Sequence, residues 1–171
     1  MSKVLVASYE KSWEDETAGA WFELGQSDEA LKTFLKEVVK VKGYRDICFK
    51  DSDMEMFWYD SDRPEDIFYL NERVREYNKL NDKEKEVLEA LVELYGMNYL
   101  DNALKEAKNY VLLKGVKRME DLGYLYLTQW GDFHQEEMEK LIPYIDLKEV
   151  GLMVDSKYSG GLTSKGYLMD C

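Results

Sequence analysis

Histidine is almost missing from this chain: His134 is the only one, beside 35 acidic residues. A zinc site needs several Cys or His residues at ligand spacing. His134 has only Glu137 on the next helical turn, and one imidazole with one carboxylate is too small a set, so it reads as a surface or capping histidine. Cysteine is nearly as scarce. Cys48 and Cys171 lie far apart without CxxC spacing, which fits two reduced thiols in a cytoplasmic protein. Proline occurs only at 64 and 143, and no Gly/Ser-rich run is present. No flexible linker is therefore visible, and subdomains are expected to pack end to end. No stretch approaches the ~20 apolar residues that span a bilayer. Met1–Ala7 lacks the apolar length and cleavage site of a signal peptide. A cytoplasmic location without a membrane partner is expected.

The catalytic motifs are missing too. Asp51-Ser52-Asp53 opens like a calcium loop, but Glu55 and Phe57-Trp58-Tyr59 break the pattern. Gly160-Gly161-Leu162-Thr163-Ser164-Lys165-Gly166 has the ingredients of a phosphate loop in the wrong order and reads as a tight turn between the last elements. There is no Gly-x-Ser-x-Gly elbow and no Cys–His pair with a third member. Paired carboxylates are so numerous that any two could meet by chance, which leaves a glycosidase reading empty. The expectation is no enzyme activity, no metal and no cofactor.

What the chain has is acid. The 35 Asp and Glu against 23 Lys and Arg give a net charge of −12 over 171 residues. The surplus is uneven: 51–110 carries 16 acids and 8 bases, whereas 1–50 carries 9 and 8, and 111–171 carries 10 and 7. Apolar residues at 45% and aromatics at 13% are too many for a disordered acidic tail, so the chain should fold. An acidic surface repels nucleic acid and most membranes. It attracts basic clefts, including those that hold DNA. The same charge also serves a plain solvated surface.

Periodicity divides the chain into three parts of an α+β protein. In 1–60, strands are expected at Val4–Tyr9, Ala18–Leu24 and Arg45–Lys50. A helix capped by Ser27 should run from Asp28 to about Lys42, with Leu31, Phe34, Leu35, Val38 and Val39 on one face and Gly43 as its stop. The mainly helical part 61–109 starts at Asp62 with Pro64 in the first turn. Ile67, Leu70, Val74 and Tyr77 form one stripe. Asn81 and Glu84 make a capping box for a second helix whose stripe is Val87, Leu88, Leu91 and Leu94, with Gly96 as its stop, and a third, shorter helix begins at Asn98. In 110–171 the pattern gives a strand over Leu122–Gln129, a helix over Gln135–Leu141, a helical turn over Leu147–Val154 and a closing strand Tyr167–Asp170.

The acids Asp51, Asp53, Glu55, Asp60, Asp62, Glu65 and Asp66 form a run, which Glu72, Glu76, Glu86, Glu89 and Glu93 extend along two helices. These five fall away from the apolar stripes and are expected to be exposed. Together the twelve form the candidate partner-binding surface. Two other classes fit the same composition: a hydrolase using paired carboxylates, and an adaptor binding through an apolar patch.

Three blocks carry a family resemblance. The first is Gly19-Ala20-Trp21-Phe22-Glu23-Leu24. The second is Arg45-Asp46-Ile47-Cys48-Phe49-Lys50-Asp51. The third is C-terminal: Glu120-Asp121-Leu122-Gly123-Tyr124-Leu125-Tyr126, then Tyr144-Ile145-Asp146-Leu147-Lys148-Glu149-Val150-Gly151, then Gly166-Tyr167. Their order and spacing resemble the ArdA antirestriction proteins over nearly the whole chain. Leu147 stands where the family pattern usually has an aromatic, and Lys157 and Lys165 dilute the charge of the C-terminal end. The resemblance implies an elongated three-part α+β molecule that forms homodimers through its C-terminal part. It implies a DNA mimic that occupies the DNA-binding groove of type I restriction-modification enzymes, on their methyltransferase core, and so protects incoming mobile-element DNA. An acidic mimic directed at another DNA-binding partner is the alternative.

Overall fold

A computed structural model describes residues 2–14, 18–43, 46–53, 67–131, 133–158 and 160–171. They form two compact units, Met1–Leu80 and Asn81–Cys171, both mixing helix and sheet. The helices expected in 61–109 are shared between them: one lies in the first unit and the others in the second. Among the described residues no helix is long and apolar enough to cross a membrane.

The first unit is built on a three-stranded antiparallel sheet. Strand β1 (Lys3–Ser8) lies between β2 (Ala20–Glu23) and β3 (Ile47–Ser52). β1 is rich in valine, which suits a pleated and covered strand, and Val4, Val6 and Ala7 are buried. On β2 the period of two sends Phe22 inward and Trp21 outward. A short helix, α1 (Tyr9–Glu14), follows β1 where no helix was expected. Ser27 caps α2 (Asp28–Thr33), its hydroxyl accepting the Ala30 N–H at 3.2 Å.

The expected helix to Lys42 ends earlier. After Thr33 it widens into a π-turn over Phe34–Val39 and stops at Lys40, which takes a left-handed φ of 62°. The cause lies in the apolar spacing: Leu31, Leu35 and Val39 recur every four residues and are buried, while Val38 is exposed. Helix α3 (Ile67–Lys79) closes the unit through fully buried Asn71. Its amide oxygen accepts the Gly25 N–H at 2.8 Å and its amide nitrogen donates to the Gln26 carbonyl at 2.9 Å. Buried Asn71 thus ties the Gly25–Gln26 turn to α3.

The second unit begins with α4 (Asp82–Tyr95), whose capping box is present in both directions: Asn81 accepts the Glu84 N–H and Glu84 accepts the Asn81 N–H. Gly96 ends it at φ 86°, as expected. Helix α5 (Leu100–Glu106) follows, then strand β4 (Tyr110–Leu113), which the sequence pattern did not reveal.

The segment expected as a strand over Leu122–Gln129 is helical instead: α6 (Met119–Leu125) runs into a π-turn over Tyr126–Trp130. Tyr124 and Tyr126 alternate like a strand, but two other features decide the outcome. The Asp121 carboxylate accepts the N–H groups of Lys117 and Arg118, both at 3.0 Å, which fixes a helix start. Gly123 then lets α6 press on α8 (Leu147–Asp155): a Cβ there would sit 2.0 Å from the Leu147 carbonyl oxygen. Between these two helices lies α7 (Gln135–Leu141).

The closing sheet has the order β4-β6-β5, all antiparallel, with β5 spanning Gly160–Thr163 and β6 Gly166–Asp170. Strand β5 has weak β formers, yet Gly160 is required there, because a Cβ would lie 1.9 Å from the Leu168 carbonyl oxygen. The glycine-rich motif, expected as a tight turn, is therefore strand β5 followed by a two-residue hairpin turn at Ser164-Lys165 and the first residue of β6. The core of this unit joins Val116, Leu122, Val154 and Tyr167.

Candidate partner-binding surface

The twelve nominated acids fall into three groups. Glu55, Asp60, Asp62, Glu65 and Asp66 lie outside the described residues. Asp51 and Glu72 are exposed. Asp51 accepts the Ser52 N–H at 2.8 Å. Glu72, on α3, pairs with no cation among the described residues.

The remaining five are engaged by their own chain. Asp53 accepts the Lys3 N–H beside β1. Glu76 pairs with Lys79 one turn along α3. The three acids of α4 meet partners distant in sequence. Glu86 pairs with Lys114 at 2.6 Å, Glu89 pairs with Lys165, and Glu93 accepts from both the backbone N–H and the hydroxyl of Ser164 at 2.6 and 2.7 Å. Glu76, Glu86 and Glu89 are half-buried rather than exposed as expected, and Glu93 is exposed. The Lys114 hydrogen bond holds the Glu86 carboxyl below its usual range, and the Glu89 hydrogen bond raises Lys165.

Sequence reasoning placed the α4 acids on one side of a helix, which they share at spacings of three and four residues. It did not find Lys114, Ser164 and Lys165 as their partners. The one available signal was the pair of lysines that dilute the C-terminal charge.

The charge surplus is shared between the units. Met1–Leu80 carries 18 acids and 12 bases, and Asn81–Cys171 carries 17 and 11, so each has −6. The concentration in 51–110 thus straddles the boundary. Other acids add to the exposed set: Glu29 and Glu37 in the first unit, and Glu136, Glu137 and Glu149 in the second.

The residues that raised catalytic questions take structural places. His134 is the exposed residue before α7, and its side chain caps nothing. Cys48 is half-buried beside Ser12, at 3.5 Å from its hydroxyl, and Cys171 is exposed. No group of three metal-ligating side chains occurs among the described residues.

The motif blocks also resolve into structure. Asp121 fixes the start of α6, and Asp146 caps α8 by accepting the N–H groups of Lys148 and Glu149. Gly123 and Gly151 form the close crossing of those helices, while Tyr144 is 87% exposed. The C-terminal block therefore encodes the fold of the second unit. A protein-family model described as antirestriction protein (ArdA) matches residues 4–169. No individual curated protein matches the chain significantly. With nearly its whole length matched, the chain belongs to the ArdA family of antirestriction proteins.

Proposed function

We propose that this chain is a DNA mimic that occupies the DNA-binding groove of a type I restriction-modification enzyme, on its methyltransferase core, and so shields incoming mobile-element DNA. The observation that carries the reading is an even charge of −6 on each unit with exposed carboxylates such as Glu72, which no cation among the described residues pairs. A basic groove responds to carboxylates much as it does to phosphates, and no bond need be broken. Duplex DNA carries one negative charge per ~1.7 Å of axis, so a homodimer with twice the −12 of one chain matches about 40 Å of duplex. The elongated three-part division at 1–60, 61–109 and 110–171 and a cytoplasmic location belong to the same proposal.

The test is graded neutralisation. Replacing one carboxylate by its amide should leave inhibition of DNA cleavage nearly unchanged. Replacing Asp51, Glu72, Glu76, Glu86, Glu89 and Glu93 together should remove most of it. A single substitution that abolished inhibition in a folded protein would point to a localised site, and full inhibition by the sixfold variant would remove the acidic surface from the account.

A further inference from the structure

Two of the α4 acids, Glu86 and Glu89, are covered by the chain's own cations, and the fold holds those cations in place. Lys114 leaves the end of β4, and Lys165 sits at the tip of the β5–β6 hairpin. The tip is fixed internally: the Thr163 hydroxyl donates to the Gly166 carbonyl at 2.8 Å and accepts the Lys165 N–H at 3.2 Å. It also lies close against β4, since a Cβ on Gly166 would come within 2.5 Å of the Leu113 carbonyl oxygen. This seats Lys114 and Lys165 beside each other, facing Glu86 and Glu89. Ser164 anchors the same tip to Glu93 through two hydrogen bonds.

We propose that Lys114 and Lys165 form a self-occupying clasp that stands in for the cations of a basic protein groove and must be displaced before α4 can engage one. The proposal rests on the mimicry reading above. Its energetics favour exchange over permanence. Lys114 and Glu86 are 63% and 39% exposed and Lys165 and Glu89 37% and 31%, so both pairs stay open to solvent and are screened, the second less than the first. The Glu93–Ser164 bonds and the apolar packing of α4 hold the hairpin without the lysines. Both lysines would then lower affinity for the target while leaving the fold almost unaffected.

The test measures displacement of labelled duplex DNA from a purified type I methyltransferase core. The variants are Lys114→Gln/Lys165→Gln, the arginine pair Lys114→Arg/Lys165→Arg, and the charge-matched control Lys83→Gln/Lys108→Gln, whose lysines are exposed elsewhere in the same unit. Relative to that control, the glutamine clasp variant should displace DNA at roughly twofold to thirtyfold lower concentration, the equivalent of two exposed ion pairs no longer broken. The arginine pair should stay near the wild type. A glutamine variant no tighter than the control, with wild-type melting, overturns the clasp. Titration of the Glu86 carboxyl by NMR in the unaltered protein gives an independent reading: a depressed pKa supports the clasp, and an ordinary one overturns it. A wild-type protein that displaces no DNA would overturn the mimicry reading itself.

Discussion

Replacing Gly151 with alanine opposes two effects that the structure allows to be weighed. Gly151 lies inside α8, where alanine is intrinsically better by about 1 kcal/mol. It also faces α6 at close range: a Cβ would stand 1.9 Å from the Met119 carbonyl oxygen and 2.7 Å from its carbon. Real Cβ contacts essentially never fall below 3.0 Å, so α6 and α8 must separate by more than 1 Å. Those atoms are backbone, which cannot swing aside as a flexible side chain can. The separation opens the cluster of Val116, Leu122, Val154 and Tyr167. Overpacking costs about 1–3 kcal/mol, and an overlap with rigid backbone falls at the upper end of that range, above the propensity gain. For the second unit, Asn81–Cys171, a net loss near 1–2 kcal/mol should lower the melting temperature by roughly 5–15 °C. Calorimetry reads this directly, with Gly115→Ala as the control because nothing lies within 4 Å of its added Cβ. A Gly151→Ala protein melting at or above the wild type would refute the close-crossing argument.

The acid limb of stability should depend on Asp121, whose pKa is lowered chiefly by the N–H of Lys117, with further help from that of Arg118. A carboxyl depressed on folding stabilises above its unfolded pKa of about 3.9, and that contribution disappears as pH falls through the folded value. Asp121→Asn should therefore be less stable than the wild type at neutral pH, and the gap should shrink as pH falls below the unfolded pKa and through the folded one in acid titrations followed by circular dichroism; a gap independent of pH would contradict the assignment. In the first unit, Asn71→Leu should cost about 1–3 kcal/mol by leaving the Gly25 N–H and Gln26 carbonyl without partners. Denaturant unfolding checks it, and a loss below the error of the measurement would show that the turn finds other partners.

Legibility in the sequence followed the range of the interactions. Local signals were readable: the Ser27 cap, the Asn81–Glu84 box and the Gly96 stop each depend on residues within a few positions. The failures came from distant contacts. Tyr124 and Tyr126 alternate like a strand, and the seating of Gly123 on α8, added to the helix start at Asp121, makes that segment helical. Strand β5 was hidden by its glycines, whose purpose appears only when β6 lies alongside. The same limit applied to the acids. Helical spacing put Glu86, Glu89 and Glu93 on a common side, but 71 residues separate Glu93 from the Ser164 it binds. Charge composition therefore revealed the surplus and not which carboxylates are already occupied.

The most direct test of DNA mimicry is an equilibrium competition. The protein is bound to purified type I methyltransferase, and duplex DNA is titrated in at low and at moderate salt. The account predicts mutual exclusion: DNA and the acidic protein displace each other, and raising salt weakens the protein's binding steeply because both partners are highly charged. A ternary complex in which both remain bound, with affinity insensitive to salt, would contradict it.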